Sequence, residues 1–386
     1  MGTQIHIFSA MTTAGMISFL ICLLILMTQP LHARFSMDSD LTGIQKFHSR
    51  PVPRIGGVAV IAGLLAVPVS IYLFRRDPAL APHAKPMLFA ILAAAPAFVA
   101  GLAEDLTKTV SVRARLIATF FSALLGAWLL GASLSRVDVI GLDFLLQFAP
   151  FSLVVTAVAV GGVANSVNII DGFNGIASGT VIVLLGGIAF LAHQANDPVV
   201  FHLSLMGIGA ALGILVLNFP TGRLFIGDGG AYLLGFWLAE MAVLLVVRNA
   251  HITAWQMLAI CAYPVSEVLF SMYRRRIIRK SAPGAPDRLH LHTLLYRRFI
   301  CHRLPAHTAS HPWVRNAAVA CLLVPWLSIA TTVSVVYGKT IPSAFLITFL
   351  QVFAYLAVYG RLVRGHWCFR PMVLLGLRRQ TRERPI

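Results

Sequence analysis

The sequence is poor in charged residues, and acids are the scarcer kind. Only 12% of its 386 residues are charged, with 14 Asp and Glu against 31 Lys and Arg, whereas 58% are hydrophobic. Soluble domains carry about 25% charged residues. A chain with so few charges cannot cover its core with a water-compatible surface. The composition therefore excludes a soluble globular protein and predicts an integral membrane protein.

Paired cysteines and an early basic segment are also missing. The five cysteines show no paired spacing, so the sequence predicts no disulfide framework. No Lys or Arg precedes the first apolar stretch, and a cleavable signal peptide needs a positively charged segment there. We therefore expect the stretch up to about Thr28 to remain as the first membrane span.

Long apolar runs are what the sequence does have. Each is long enough to cross a bilayer, which takes about 20 residues in a helix, and a helix satisfies its own backbone hydrogen bonds in lipid. The predicted fold class is all-α, a polytopic integral membrane helix bundle with about eleven transmembrane helices. The runs cover 11–28, 55–74, 87–103, 113–131, 149–167, 176–192, 201–218, 230–247, 255–273, 314–337 and 342–360.

The basic residues are distributed unequally between the two sides of this bundle. If the N-terminus is periplasmic, 25 of the 31 Lys and Arg residues fall on the cytoplasmic side. The positive-inside rule then predicts a periplasmic N-terminus and a cytoplasmic C-terminus. Membrane topology and anionic lipid headgroups account for most of the net charge of +17. We therefore expect contact with membrane lipid and no nucleic-acid binding.

Polar residues concentrate in the loops on the predicted cytoplasmic side. Such an array on one face of a bundle is typical of an active site at the inner surface of a membrane. We interpret 1–360 as a single transmembrane domain and 361–386 as a basic cytoplasmic tail. The candidate catalytic loops are 29–54, 104–112, 165–175, 218–229 and 274–313.

Two of these loops combine acids with amides or a second acid. Glu104-Asp105 could bind Mg²⁺ or hold a nucleophile, and it could equally be a solvated acidic cap. Asn165 and Asn168 share a helix face, and Asp171 follows where glycines end the helix. A carboxylate beside lipid is costly, at roughly 2.5–3.5 kcal/mol at the bilayer centre. This cost favours function over polar contacts between helices.

The loop that starts at Asn218 contains the motif Gly227-Asp228-Gly229-Gly230. Glycines let a backbone approach a ligand closely. Asp228 is the only acid between Asp197 and Glu240. The motif indicates a phosphate or metal site, and the alternative is an ordinary turn.

The histidine loop and the first loop leave more alternatives open. His290 and His292 could contact phosphate, coordinate a metal or lie in a solvated loop, although the spacings match no standard zinc pattern. In the first loop, bases could bind an anionic substrate or only set the orientation. Glu267 is expected to pair with the arginine cluster that begins at Arg274.

Together these motifs resemble the polyprenyl-phosphate N-acetylhexosamine-1-phosphate transferases. The match runs in order over about 40–360, and eleven spans suit the branch that starts O-antigen, enterobacterial common antigen and teichoic acid synthesis. The motifs are Lys46-x-His48-x-x-Pro-x-Pro-Arg54-x-Gly-Gly, Glu104-Asp105, Asn165-x-x-Asn168-x-x-Asp171-Gly-x-Asn174-Gly, Asn218-x-Pro with Gly227-Asp228, and His290-x-His292.

The resemblance implies a Mg²⁺-dependent phosphotransferase, with Mn²⁺ as an alternative ion. It would transfer sugar 1-phosphate from a UDP-N-acetylhexosamine to undecaprenyl phosphate and release UMP, at the cytoplasmic face of the bacterial inner membrane. The protein could form a homodimer. Asp228 and Asp171 would hold the metal, and Glu104 and Asp105 would position the lipid phosphate or act as base. Substrate-binding positions would be Lys46, His48, Arg54, Asn165, Asn168, Asn174, Asn218, Arg288, His290 and His292.

This sequence departs from the family pattern at several positions. Glu104 stands where the family usually has Asp, and Thr42, Gly43 and Gln45 stand where it often shows Pro, Asn and Arg. The histidine motif lacks the triple His of the muramoyl-pentapeptide enzyme, which argues against the peptidoglycan branch. Two alternatives remain from the sequence, namely a transporter or flippase for an anionic lipid or sugar, and an inactive relative that acts as a scaffold.

Overall fold

The computed structural model describes residues 9–38, 51–74, 80–278, 280, 287–304 and 313–364, and most of this chain is helical. Its α-helices are α1 Ser9–Met27, α2 Gln29–Ser36, α3 Gly56–Phe74, α4 Ala84–Thr107, α5 Val112–Leu130, α6 Leu142–Leu146, α7 Ala149–Ile170, α8 Ile176–Gln194, α9 Pro198–Asn218, α10 Gly227–Arg248, α11 Ala254–Ile260, α12 Ala262–Tyr273, α13 Leu291–Leu294, α14 Cys301–Arg303, α15 Trp313–Tyr337 and α16 Ile341–Arg364.

Shorter elements lie between these helices. A 3₁₀ turn covers Ala81–His83, and two π-helical turns cover Arg274–Ile278 and Leu295–Ile300. Two short strands, β1 Met37–Asp38 and β2 Val52–Pro53, pair antiparallel with Met37 opposite Pro53. No pattern in the sequence indicated this strand pair.

Ten helices of the described chain are long and apolar enough to cross a membrane, namely α1, α3, α4, α5, α7, α8, α9, α10, α15 and α16. The protein is therefore an all-α, multi-pass membrane protein. The predicted count of eleven is not confirmed, because the run 255–273 forms two helices, α11 and α12, that meet at Cys261. Pro264 explains this break, since proline cannot donate to the carbonyl of Ile260 and its ring clashes there.

Helix α10 is the centre of the bundle. Within the membrane-spanning window of this helix 94% of the residues are buried, and it packs against α3, α4, α5, α7, α8 and α9. At its C-terminal end, the guanidinium of Arg136 donates to the carbonyl oxygens of Val246, Asn249 and Ile252 at 3.3, 3.1 and 2.7 Å. A cation at this position stabilises the free carbonyl groups that end a helix.

The segment that follows β2 brings the first loop to the N-terminus of α10. The N–H of Phe225 donates to the carbonyl of Pro53 at 2.8 Å, and the N–H of Gly57 donates to Ile226 at 2.8 Å. This pairing places Arg54 beside the start of α10. The end of α4, the start of α5 and the end of α7 lie at the same end of the bundle.

Residues 287–304 pack on the ends of neighbouring helices rather than extending into solvent. Leu291 and Leu294 lie in an apolar cluster with Ile170 of α7, Leu323 of α15 and Tyr355 of α16. This cluster holds the histidine segment against the bundle. Of the cysteines, the four in the described chain are free.

Candidate active site

Asp105 is the second acid of the pair at the end of α4, and it is fully buried against the first turn of α10. Its Oδ1 accepts a hydrogen bond from the main-chain N–H of Asp228 at 2.8 Å, and its Oδ2 accepts one from Gly229 at 2.8 Å. The first N–H groups of a helix have no partner within the helix and carry a partial positive charge. Asp105 therefore caps a helix that begins about 120 residues later in the chain.

Glycines make this close contact possible. Gly227 has a φ of +71°, a conformation that favours glycine, and a Cβ there would clash with the carbonyl of Arg54 and the carboxylate of Asp105. A Cβ on Gly101 would lie 2.6 Å from the Cα of Gly229. A side chain at either position would push α4 away from α10.

Asp228 lies in the first turn of α10 with its side chain 20% exposed, and it faces cations and an amide. Its Oδ2 pairs with the guanidinium of Arg115, and its Oδ1 lies 3.5 Å from Nη2 of Arg54. Asn168 Nδ2 donates to the same Oδ1 at 3.1 Å. Arg54 also contacts Oδ1 of Asp105 through Nε and Nη2, each at 3.0 Å. Two arginines and two carboxylates therefore form one charged cluster at the end of the bundle.

The two predicted asparagines of α7 both contact α10. Asn165 Oδ1 accepts from the hydroxyl of Tyr232 at 3.1 Å, while Asn168 binds Asp228 one turn away. The guanidinium of Arg115 lies 5.8 Å from the ring centroid of Tyr232, within cation–π range. The shared helix face that the sequence predicted is thus a contact face with α10.

Asp171 is the residue that follows the last turn of α7, and it lies close enough to Asp105 and Arg54 to feel their charges. Burial and the negative charge of Asp105 raise the pKa of Asp171 to about 7, although Arg54 opposes the shift. Its carboxyl group is therefore close to half-protonated at neutral pH. A cation at this position would favour the ionised form.

Glu104 precedes the capping residue and has a different environment. Its Oε2 is buried and has no hydrogen-bond partner among the residues that the structure describes. A buried carboxylate oxygen without a donor is costly. Glu104 is therefore available to a donor or a cation that a ligand brings.

The side chains at this site suit a Mg²⁺ ion that a bound substrate also helps to coordinate. They do not form a complete metal site by themselves in the described part of the chain. In the described ranges, no group of three His, Cys, Asp or Glu side chains is arranged to hold a metal. Mg²⁺ in phosphate-handling sites is usually bound by one or two carboxylates together with substrate phosphates and water. The partly exposed carboxylate of Asp228 and the carboxyl group of Asp171, whose raised pKa a cation would lower, suit that mode, and the unpartnered oxygen of Glu104 is a further oxygen donor in the described chain.

Asn174 and Asn218 hold two loops together. Asn218 Oδ1 accepts from the N–H of Gly175 at 2.6 Å, and its Nδ2 donates to Leu224 at 2.9 Å. Asn174 Nδ2 donates to the carbonyl of Pro220 at 2.9 Å. These bonds position the loop that carries Asp171, whereas the sequence analysis predicted that both asparagines bind substrate.

The histidine segment contacts the same loop. His292 is 3% exposed, its Nδ1 has no hydrogen-bond partner in the described part of the chain, and a Cβ on Gly172 would lie 2.9 Å from its Nε2. Burial and the neighbouring His290 lower the pKa of His292 to about 3, against the opposing effect of Glu267 and Asp287. His292 is therefore a neutral hydrogen-bonding group and not a cation.

Arg288 and Glu267 lie differently from what the sequence suggested. Arg288 is exposed and lines a cavity of about 320 Å³ together with Arg297, Arg298 and other residues of its segment. The prediction that Glu267 pairs with the arginine cluster is wrong, because its carboxylate accepts from His290 at 2.8 Å. The carboxylate of Asp287 pairs with Arg274 and Arg275 instead.

Some of the relevant residues escaped the sequence analysis, and others fall outside the structure. Arg115 and Tyr232 were missed, although a base in the first turn of a helix on the predicted cytoplasmic side is a usable signal for Arg115. No sequence signal indicated Tyr232. The predicted substrate-binding residues Lys46 and His48 lie outside the described residues, as does most of the basic tail.

Comparison with known proteins gives a consistent result. Residues 87–246 match the model of glycosyl transferase family 4. This range runs from Met87 in α4 to Val246 in α10 and therefore contains Asp105, Asn168, Asp171 and Asp228.

Three curated relatives match over most of their length. The chain is 26% identical over 299 residues to a probable undecaprenyl-phosphate N-acetylglucosaminyl 1-phosphate transferase of Bacillus subtilis, covering 75% of this chain and 79% of the relative. It is 27% identical over 337 residues to the undecaprenyl-phosphate alpha-N-acetylglucosaminyl 1-phosphate transferase of Yersinia pestis, covering 85% and 84%. The Thermotoga maritima protein of that name is 28% identical over 261 residues, covering 67% and 73%. The predicted family resemblance is confirmed.

Proposed function

We propose, from the match of residues 87–246 to the model of glycosyl transferase family 4, that this enzyme transfers an N-acetylhexosamine 1-phosphate from a UDP-sugar to undecaprenyl phosphate. UMP leaves, and a lipid-linked pyrophosphoryl sugar forms. The relatives named undecaprenyl-phosphate N-acetylglucosaminyl 1-phosphate transferases support this reaction class. The structural observation that most directly supports this reaction is the cluster of Asp228, Arg54, Arg115 and Asn168 at one end of the membrane bundle.

The reaction joins two anionic phosphate compounds, and this cluster suits that task. A phosphate oxygen of the lipid attacks the phosphorus that carries the sugar, and the bond from that phosphorus to the oxygen of UMP breaks. A phosphate monoester with a second pKa near 6 is already largely dianionic at pH 7. The nucleophile therefore needs little help from a general base, and Glu104 is not required to accept a proton.

The arginines supply charge neutralisation where the two phosphates meet. Guanidinium groups form bidentate bonds to phosphate and are the residues that phosphoryl-transfer sites commonly use. In the structure Arg54 and Arg115 pair with Asp228, so the site holds these cations in place before substrate arrives. Phosphate oxygens would then replace the carboxylate as their partner.

Asp228 and Asp171 would hold Mg²⁺, with Mn²⁺ as an alternative. When bound, the ion would neutralise the charge of the donor pyrophosphate. Asn168 keeps the carboxylate of Asp228 oriented, and Asp105 keeps the main chain beneath it in place.

The location of the reaction follows from the same proposal. We place the protein in the bacterial inner membrane with the Asp228 cluster at the cytoplasmic face, where UDP-sugars are made. The product would then begin a cell-envelope polysaccharide such as O-antigen.

One assay tests the proposed function. The purified protein is incubated with Mg²⁺, undecaprenyl phosphate and each of several UDP-N-acetylhexosamines, and UMP and the mass of the lipid product are measured. We expect UMP release that requires both substrates and stops on addition of EDTA. Movement of lipid or sugar across vesicles without UMP release would reject the transferase and support a transporter.

A further inference from the structure

Glu267 is a buried acid in α12 that the proposed reaction does not use. It is fully buried, and both carboxylate oxygens accept from the main-chain N–H of Leu291 at 3.2 Å. Oε1 also binds Nδ1 of His290 at 2.8 Å, and Oε2 accepts from the hydroxyl of Tyr355 at 3.1 Å. One carboxylate therefore joins α12 and α16 to the start of the histidine segment.

These contacts fix the orientation of the His290 ring. Because the Glu267 oxygens accept from N–H and O–H donors, Nδ1 of His290 carries the hydrogen that it shares with Oε1. Nε2 of His290 lies 3.3 Å from Nη2 of Arg275, and a guanidinium can only donate. Both ring nitrogens of His290 are therefore occupied by protein groups.

His290 in turn supports His292. The two imidazole rings are stacked with their centroids 5.4 Å apart and an interplanar angle of 7°. His292 has the free nitrogen described above, and its Nε2 lies against Gly172 in the loop next to Asp171. Phe173 also contacts the His292 ring edge to face, at 5.7 Å between centroids.

We propose that Glu267 is a positioning residue that acts through His290 to hold His292 against the Asp171 loop, so that His292 alone of the two histidines contacts the pyrophosphate of the donor. This inference rests on the proposed function. It assigns different roles to two histidines that the sequence could not distinguish. The arrangement follows the general rule that a carboxylate bonded to one imidazole nitrogen fixes the orientation of the ring.

A double-mutant cycle on the purified full-length protein tests this proposal. The variants are Glu267→Gln, His292→Ala and the double variant, with UMP release measured against both substrates. We expect each single change to lower kcat/KM for the UDP-sugar by about tenfold or more, and the KM for undecaprenyl phosphate to stay unchanged. The double variant should be no worse than His292→Ala, because coupled residues are not additive.

Glu240→Gln is the matched control. Glu240 is also a fully buried acid, and its two oxygens have no hydrogen-bond partner among the described residues. We expect wild-type kinetics from this variant. A large loss there would show that neutralising any buried acid disturbs the bundle, and it would overturn the assignment to Glu267.

A second pair of variants keeps the test decisive if Glu267→Gln does not fold. His290→Asn retains a donor toward Glu267, whereas His290→Ala does not. We expect His290→Asn to be the more active variant, and the difference to vanish when His292 is also Ala. Additive losses in both cycles, with an active wild-type enzyme, would overturn the positioning role. A wild-type protein that releases no UMP would instead reject the proposed function itself.

Discussion

Asp105 binds the main-chain N–H of Asp228 at 2.8 Å, so the carboxylate of one acid fixes the backbone of the other. The two acids therefore have different tasks in the same cluster. Asp105 is fully buried and saturated by protein donors, whereas the side chain of Asp228 is 20% exposed. We interpret Asp105 as a positioning residue and Asp228 as the one that faces ligand.

Asp105→Asn should therefore damage stability as well as activity. An amide keeps one acceptor but turns an NH₂ group toward the N–H of Gly229 or toward Arg54, which leaves a buried donor without a partner. We expect a loss of about 1–3 kcal/mol in unfolding free energy, measured as thermal unfolding in detergent. Glu104→Gln is the control, because Oε2 of Glu104 has no partner to lose in the described structure. Equal stability of the two variants would contradict the capping role.

Asp228→Asn and Asp171→Asn should abolish UMP release while the protein still inserts and folds. Each removes a charge that the proposed metal requires, and we expect a loss of at least about 100-fold, the scale seen when one charge-stabilising group is removed. Asp143→Asn, in the short helix α6 that precedes α7, should keep full activity. Turnover close to wild type in the Asp228 or Asp171 variant would disprove its role.

Arg115→Lys tests a residue that the sequence analysis missed. Lysine keeps the charge but loses the planar, bidentate geometry that phosphate recognition uses. We expect KM for one or both substrates to rise about tenfold, equivalent to 1.4 kcal/mol. Arg113→Lys is matched to it in the same helix turn, where Arg113 is exposed, and it should have no effect. Identical kinetics in both variants would place Arg115 outside the site.

Neutralising Asp171 and Asp197 should change stability in opposite directions. The pKa of Asp171 is raised to about 7, so without metal the folded state loses stability as pH rises from about 4 to 7. Asp171→Asn should therefore unfold a few degrees higher than wild type at pH 8. Burial alone would raise the pKa of Asp197, but hydrogen bonds from Arg248 and Asn249 outweigh burial and lower it.

The ionised form of Asp197 thus contributes stability above its unfolded pKa, and this contribution is lost as pH falls through the lower folded pKa. Asp197→Asn should accordingly unfold below wild type at pH 8. Thermal unfolding of both variants in Mg²⁺-free buffer at pH 5 and pH 8 checks the signs. A lower melting temperature for Asp171→Asn at pH 8 would be the contrary result.

The predicted orientation can be tested with single cysteines in a background that lacks the native ones. Thr109 and His251 are exposed in loops at opposite ends of the bundle. We expect a membrane-impermeant maleimide to label His251→Cys in intact cells, and Thr109→Cys only after lysis. The reverse pattern would invert the topology and place the Asp228 cluster outside the cytoplasm.

The sequence predicted the parts of the site that depend on local pattern. Asn165, Asn168 and Asp228 were identifiable because helical spacing and a glycine motif are properties of short segments. The pairing of Glu267 was predicted wrongly because spacing along a helix identifies a face but not the neighbouring segment. Its actual partner, His290, is brought near by the packing of residues 287–304. The capping role of Asp105 depends on the contact of α4 with α10, which no local pattern encodes.

Helix α10 is bound at its first turn by Asp105 and at its last by Arg136. Its 22 residues correspond to about 33 Å of helix rise, which is close to the thickness of the hydrocarbon layer. The depth of Asp228 relative to the lipid headgroups is consequently set by a helix whose two ends are both held by side chains from other parts of the protein. Both substrates must come to that one depth, whatever the length of the prenyl chain that trails into the membrane.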